Sequence, residues 1–115
     1  MARRQWETGA NRDTDEGKID FEGALSPIVL LKYGEYMRDN SFLADGTFRK
    51  TDNWQKGFPE DVLMKSLTRH FMDVWLHHRG QGDKAQSDYE TALCAVMFNV
   101  MGLLHKELDN AQDHS

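Results

Sequence analysis

The chain has 115 residues, a length typical of one domain, and its 39% of hydrophobic residues is enough to form a core. A formal net charge of −5 argues against general nucleic-acid binding through a basic face. No run approaches the ~20 apolar residues of a membrane span, and no apolar segment follows the basic N-terminus, as a signal peptide would require. A single cysteine excludes an intramolecular disulfide and a cysteine-based zinc site, so we expect a reducing, cytoplasmic setting.

Residues 1–22 are polar and charged, with few apolar anchors. This composition predicts an extended or disordered arm. Ser26 followed by Pro27 then supplies an N-cap and a first helical residue. The first helix is therefore expected to begin there and to end near Asn40.

A long loop is predicted over residues 41–58, and loops of this length inside a compact domain are often functional. Asn53, Trp54 and Lys56 suit a nucleotide, because an amide can bond base edges, an indole can stack and a lysine can bind phosphate. The alternative is that Trp54 anchors the loop on the core while its polar neighbours are solvated. The sequence leaves both interpretations open.

The second predicted helix runs from Pro59 to about Arg79 and carries two stripes at a helical period. The stripe expected to face the core comprises Leu63, Leu67, Phe71, Val74 and His78, flanked by Met64 and Trp75. The polar stripe beside it comprises Ser66, His70, Asp73 and His77. A carboxylate among imidazoles suits a metal or phosphate site with acid–base groups. The alternative is structural, since Asp73 and His77 can pair along the helix and cations complement its C-terminal end.

The third predicted helix runs from about Asp88 to Leu108 and is followed by a polar tail from residue 109. Its main stripe comprises Glu90, Cys94, Met97, Met101, Leu104 and Leu108. Further apolar residues spread around most of its girth, so the helix must be covered on several sides. Because two other helices do not suffice, we expect a partner subunit. Cys94 on this stripe is interpreted as a core residue.

Three further acidic residues require an explanation. Glu90 opens an apolar stripe and so needs a partner, either a metal ion or the capping box that Ser87 would form with it. Both interpretations hold together if Asp88 is the cap instead. Glu35 and Asp39 lie one turn apart on the first helix, where a divalent cation would relieve their repulsion, as would water or the side chains of Lys32 and Arg38. For Asp39 a solvated face is the preferred interpretation.

Six segments of the chain resemble a phage-associated family of proteins. These segments are Thr8–Thr14 (TGANRDT), Gly17–Lys18 (GK), Leu25–Pro27 (LSP), Asp52–Gly57 (DNWQKG), Arg69–His70 (RH) and Asp88–Leu93 (DYETAL). The family is that of the dATP/dGTP diphosphohydrolase N-terminal domain, which is related to the MazG-like all-α nucleoside-triphosphate pyrophosphohydrolases. The resemblance covers about residues 8–108.

The resemblance implies an all-α, oligomeric protein of phage nucleotide-pool metabolism. Its reaction would be Mg²⁺- or Mn²⁺-dependent hydrolysis of a (deoxy)nucleoside triphosphate to the monophosphate and pyrophosphate. Glu35, Asp73 and Glu90 are the candidate metal ligands in this chain, and the expected catalytic residues are Asp73, Glu90 and His70. Such ions neutralise triphosphate charge and activate a bound water.

The resemblance also implies a set of nucleotide contacts. Asn53 and Trp54 would hold the base, while the expected phosphate contacts are Lys56, Arg69, Arg12 and Lys18, with His70 beside them. Two alternatives remain open, namely a protein that binds nucleotide without turnover and a helical interaction protein that kept the scaffold. The prediction as a whole is a single all-α domain, a small bundle of three main helices with a polar arm and a long loop, completed by homo-oligomerisation.

Overall fold

The structure of the protein is a computed structural model that describes residues 3–5, 9, 11–14, 16–41, 45, 47 and 49–113. The fold is all-α, as the sequence predicts, with three main helices. The chain divides into two compact units, Met1–Leu30 and Leu31–Ser115. Each unit is described by itself.

The N-terminal unit contains short regular elements within the predicted arm. Strands β1 (Arg3–Gln5) and β2 (Asn11–Asp13) pair antiparallel. A one-turn helix, α1 (Phe21–Ala24), follows, and the carboxylate of Asp20 accepts a hydrogen bond of 2.8 Å from the backbone N–H of Gly23. The extended conformation agrees with the prediction, whereas α1 was not anticipated although its aspartate N-cap is a common start signal.

The three main helices begin close to where the sequence places them. They are α2 (Pro27–Asp39), α3 (Glu60–His78) and α4 (Tyr89–Asp113). Two 3₁₀ helices lie in the connections, Thr51–Lys56 and Gly82–Lys84. Helix α4 continues to Asp113, so most of the predicted polar tail is helical. Among the helices described here, none combines the length and the apolar character that crossing a membrane requires.

Gly80 ends α3 as predicted. Its φ of +73° lies in the left-handed region, which glycine adopts without steric cost. The N–H of Gly80 bonds the carbonyl of His77 at 3.1 Å, and that of Gln81 bonds the carbonyl of Leu76 at 2.8 Å. These two bonds form a Schellman motif, which satisfies carbonyls left open at the helix end.

Helices α3 and α4 pack through small residues of α4. Its inward face comprises Ala92, Ala95, Asn99 and Gly102, all of them buried. A Cβ added at Gly102 would lie 3.4 Å from the Cδ1 atom of Leu63, the most buried apolar side chain of α3. Small side chains let two helix axes approach closely, and this approach fixes which side of α4 meets α3.

The two predicted core stripes are therefore largely wrong. On α3, Leu63 is buried, but Phe71 and Trp75 are nearly half exposed. On α4, Cys94 is buried as expected, whereas four members of the predicted stripe are exposed: Met97, Met101, Leu104 and Leu108. Helix α4 is apolar around most of its girth. Its hydrophobic pattern therefore does not reveal that the side with the small residues is the one that packs against α3.

Helix α3 turns its polar stripe toward α4. The buried amide of Asn99 donates to the hydroxyl of Ser66 at 3.2 Å and to the carbonyl of Ala95 at 2.8 Å. Buried polar groups require such partners, since an unpaired one costs free energy. The stripe that suggested a ligand site is thus partly an interface between two helices of the same chain.

Candidate functional site

Two cavities of the C-terminal unit share the side chain of Trp54. The first cavity, with a volume of about 120 Å³, lies between the C-terminal end of α2, the segment 49–58 and α4. Its lining includes Tyr36, Arg49, Lys50, Asn53, Trp54 and Phe98. The second cavity, of about 220 Å³, is lined by Lys56, His105 and Lys106 together with Trp54, Phe58 and Phe98.

An aromatic cluster holds Trp54 in place. The Trp54 ring meets the rings of Phe98 and His105 edge to face, with centroids 6.5 Å and 5.1 Å apart. Phe58 contacts Phe98 in the same manner at 6.4 Å. Aromatic pairs favour this geometry. Trp54 therefore anchors its 3₁₀ helix on α4, which agrees with the interpretation of Trp54 as a loop anchor. The same side chain also lines both cavities.

Cations gather at the first cavity although the chain as a whole is acidic. The guanidinium of Arg49 donates to the carbonyl of Asn40 at 3.3 Å, just beyond the end of α2, where a cation also complements the helix dipole. The backbone N–H of Arg49 donates to the carbonyl of Ser41 at 2.8 Å. Lys50 precedes the 3₁₀ helix and its side chain is exposed. Two positive charges thus border a cavity that has aromatic walls.

Burial raises the pKa of the tyrosines beside this region. The pKa of Tyr33 rises to about 12, because desolvation penalises the phenolate. Tyr36, which lines the first cavity, has its pKa raised for the same reason. Burial likewise raises the pKa of Cys94, which favours the inert thiol over the reactive thiolate. All three side chains are therefore neutral at neutral pH, and of the three Tyr36 belongs to the wall of the first cavity.

Asp73 does not face either cavity. Its carboxylate is buried and accepts hydrogen bonds from the backbone N–H of Gln86 at 3.2 Å and from the hydroxyl of Ser87 at 3.1 Å. The Nε2 atom of His77 lies 2.8 Å from the carbonyl oxygen of Ser87. Both side chains hold the linker between α3 and α4, so the expected pairing along the helix is replaced by contacts with the linker.

Glu90 is exposed and forms an ion pair with Lys32, with 3.3 Å between Oε2 and Nζ. The hydrogen bond and charge of Glu90 raise the pKa of Lys32. Of the two caps that the sequence left open, the structure has Asp88 and not Ser87, because the carboxylate of Asp88 accepts a hydrogen bond of 2.7 Å from the backbone N–H of Thr91. That bond lowers the pKa of Asp88. Glu90 therefore lies in the first turn of α4, beside the cap rather than within it.

The predicted metal ligands do not converge. Glu35 is half-buried and its charge acts on Lys32, as does that of Glu90, but Asp73 is engaged with the linker. Asp39 pairs with its neighbour Arg38 at 3.2 Å on an exposed face, as preferred. Within the part of the chain that the structure describes, no three histidine, cysteine, aspartate or glutamate side chains are arranged to hold a metal ion. The chain thus does not fit the expected set of Glu35, Asp73 and Glu90.

The remaining predicted site residues are dispersed. His70 is half-buried on α3, and Arg69 is exposed beside Met64 and Met72 on a surface that includes neither cavity. Lys18 is exposed in the N-terminal unit, and the side chain of Arg12 lies outside the described residues. Asn53 and Trp54 line the first cavity, and Lys56 lines the second together with Trp54.

Several cavity residues were not predicted. Arg49 and Lys50 were not among the predicted site residues, although both lie in the predicted loop over residues 41–58. The same holds for three residues of α4, namely Phe98, His105 and Lys106. Phe98 and His105 lie about two turns apart on one side of α4, and Lys106 directly follows His105, so a helical wheel places the three near one another. No sequence signal shows that the segment 49–58 folds back onto that side.

Comparison of the chain with protein-family models, with curated proteins and with solved structures gives no match.

Proposed function

We propose that the protein binds a (deoxy)nucleoside triphosphate at the first cavity. The observation that supports this is the combination of chemical groups around one small space: the indole of Trp54, the amide of Asn53 and the cations of Arg49 and Lys50. Aromatic rings can stack on a base, amides can bond its edges and cations can bind phosphate oxygens. The resemblance of the segment 52–57 to a family that acts on dATP and dGTP supports the same choice of ligand.

The first cavity is large enough to enclose only one part of a nucleotide. Cavities that enclose most of a drug-sized ligand measure roughly 300–1,000 Å³, whereas this one measures about 120 Å³. It therefore suits the base alone. The phosphates would lie at the mouth, where Lys50 is exposed and Arg49 keeps further guanidinium donors beyond the one given to Asn40.

Calorimetric titration with dATP, dGTP and deoxyadenosine tests this assignment. Lys50→Met is expected to weaken the binding of dATP about tenfold by removing one phosphate contact, with deoxyadenosine affinity unchanged. Lys84→Met, a change at an exposed lysine of the second 3₁₀ helix, is the matched control and leaves dATP affinity unaltered. Failure of the unaltered protein to bind any of these ligands at millimolar concentration would overturn the assignment.

Hydrolysis to the monophosphate and pyrophosphate is the second candidate function, as the family resemblance implies. The observation that favours it is that Glu90 of α4 pairs with the ammonium group of Lys32 on α2 at 3.3 Å, while Glu35 follows Lys32 by one turn of the same helix. A divalent cation held by Glu35 and Glu90 would have to displace Lys32 from that ion pair. The same protein preparations are incubated with dATP or dGTP and Mn²⁺, and the release of pyrophosphate is measured. Pyrophosphate release that Glu90→Gln abolishes supports hydrolysis, and binding without pyrophosphate rejects it.

We further propose that copies of the chain associate through an exposed apolar stripe of α4. Its members are Leu93, Met97, Val100, Leu104 and Leu108. Spacings of four and three residues through Leu104 are those by which helices pack against one another, and an apolar stripe left in water favours burial.

Light scattering is expected to give a mass above the 13.3 kDa of one chain, and Leu104→Glu should lower it. Leu31→Glu, an exposed site on α2, should not. A mass of 13.3 kDa at all concentrations would contradict the proposal.

A further inference from the structure

The second cavity has a chemistry of its own. It shares Trp54, Phe58 and Phe98 with the first cavity, but its polar lining comes from the end of the 3₁₀ helix and from the last third of α4. Lys56 and Lys106 contribute two positive charges there. Nothing in the nucleotide contacts proposed above uses His105 or Lys106.

Lys106 is held in position rather than moving in solvent. Its side chain is half-buried, and Nζ donates a hydrogen bond of 3.2 Å to the backbone carbonyl of Phe58. An ammonium group has three donors, and this bond uses one. Partial burial removes some of the water that stabilises the ammonium group, and a neutral carbonyl compensates for only part of that cost. A bound anion would compensate for more of it.

Charge at the second cavity is not balanced by carboxylates. The ion pairs among the described residues are Lys32–Glu90 and Arg38–Asp39, and within that part of the chain neither Lys56 nor Lys106 is ion-paired. Asp109 is the acidic residue in the cavity lining, against two lysines. The cavity therefore carries a net positive charge on a chain whose overall charge is −5.

We propose that the second cavity is an anion site that binds phosphate groups through Lys56 and Lys106, with His105 packed on Trp54 to shape its wall. The inference rests on the proposed nucleotide function for the choice of phosphate as the anion. Lysine ammonium groups bind phosphate as point charges, and the cavity volume of about 220 Å³ leaves room for such a group. The phosphates would come either from pyrophosphate in solution or from a nucleotide bound at the first cavity.

Titration with inorganic pyrophosphate tests the anion site. We expect the unaltered protein to bind pyrophosphate, and both Lys106→Met and Lys56→Met to weaken that binding about tenfold. Because Lys106 contacts the backbone of Phe58, its variant is first checked for an unchanged melting temperature. Lys56 is exposed, so its variant tests the site independently of folding. Lys84→Met is again the matched control and keeps full affinity.

The two sources of phosphate are separated by repeating the titrations with dATP. If Lys106→Met weakens dATP and pyrophosphate alike, the nucleotide's own phosphates reach the cavity, and if it weakens pyrophosphate alone, the cavity takes a separate anion. Both outcomes support the site. The anion site is overturned if neither lysine variant alters the affinity for pyrophosphate. It is also overturned if the unaltered protein binds no pyrophosphate at millimolar concentration. If the unaltered protein binds pyrophosphate but not deoxyadenosine or dATP, the proposed nucleotide site is rejected and the anion site is not.

Discussion

Replacing Asp73 by alanine is expected to lower the free energy of unfolding by about 2–4 kcal/mol. The carboxylate is buried and receives the N–H of Gln86 and the hydroxyl of Ser87. Without it both part-buried donors lose a charged partner, and hydrogen bonds to charged groups contribute about 1.5–3 kcal/mol each, with a smaller loss where water can replace the partner. The linker between α3 and α4 would loosen first, because these two bonds, together with the contact of His77 with Ser87, attach it to α3. Urea denaturation followed by circular dichroism measures the change.

Two comparisons separate this structural role from metal binding. Ser87→Ala removes one of the two bonds and should cost less than Asp73→Ala. Asp39→Ala removes an exposed carboxylate and should change stability by no more than about 0.5 kcal/mol. In conditions where the Asp73→Ala protein is folded, its affinity for dATP should equal that of the unaltered protein. Unchanged stability together with lost Mn²⁺ affinity would show instead that Asp73 is a metal ligand.

The helices could be predicted because their signals are local. Pro27 and Pro59 stand where α2 and α3 begin, and Gly80 stands where α3 ends. Each of these residues acts through its own backbone conformation, which depends little on what packs nearby. The end of α4 carries no such stop signal, and the helix accordingly runs five residues beyond its predicted end at Leu108.

The facing sides of the helices could not be predicted. Periodicity ranks sides by hydrophobicity, and α4 offers apolar residues on nearly every side. The side that meets α3 is instead the one with the smallest residues and with Asn99, whose amide pairs with Ser66. A polar group on each helix thus becomes acceptable in the interior because the other helix supplies its partner. One sequence read helix by helix does not reveal that pairing.

The candidate site was predictable in part for the same reason. Asn53 and Trp54 were identified from their chemistry, and the first cavity includes both. Asp73 and Glu90 were also chosen from their chemistry, but their partners, Ser87 and Lys32, come from elsewhere in the chain. A carboxylate in a sequence indicates a need for donors. It does not indicate whether a metal, a linker or a lysine meets that need.

Substitutions at the contact between Leu63 and Gly102 test the close approach of α3 and α4. Leu63→Ala should cost about 3 kcal/mol, because it removes a buried side chain and leaves a cavity. Gly102→Val alone should cost about 1–3 kcal/mol, since a Cβ at this position already reaches 3.4 Å from Leu63 and the γ-carbons would overpack the contact. In the double variant valine occupies the space that leucine left, so the combined cost should fall short of the sum by at least about 1 kcal/mol. A double-mutant cycle from four urea denaturation curves measures this coupling. Glu107→Ala, at an exposed position of the same helix, combined with Gly102→Val should give additive costs, and additivity for the Leu63 pair as well would contradict the α3–α4 packing on which the inward face of α4 depends.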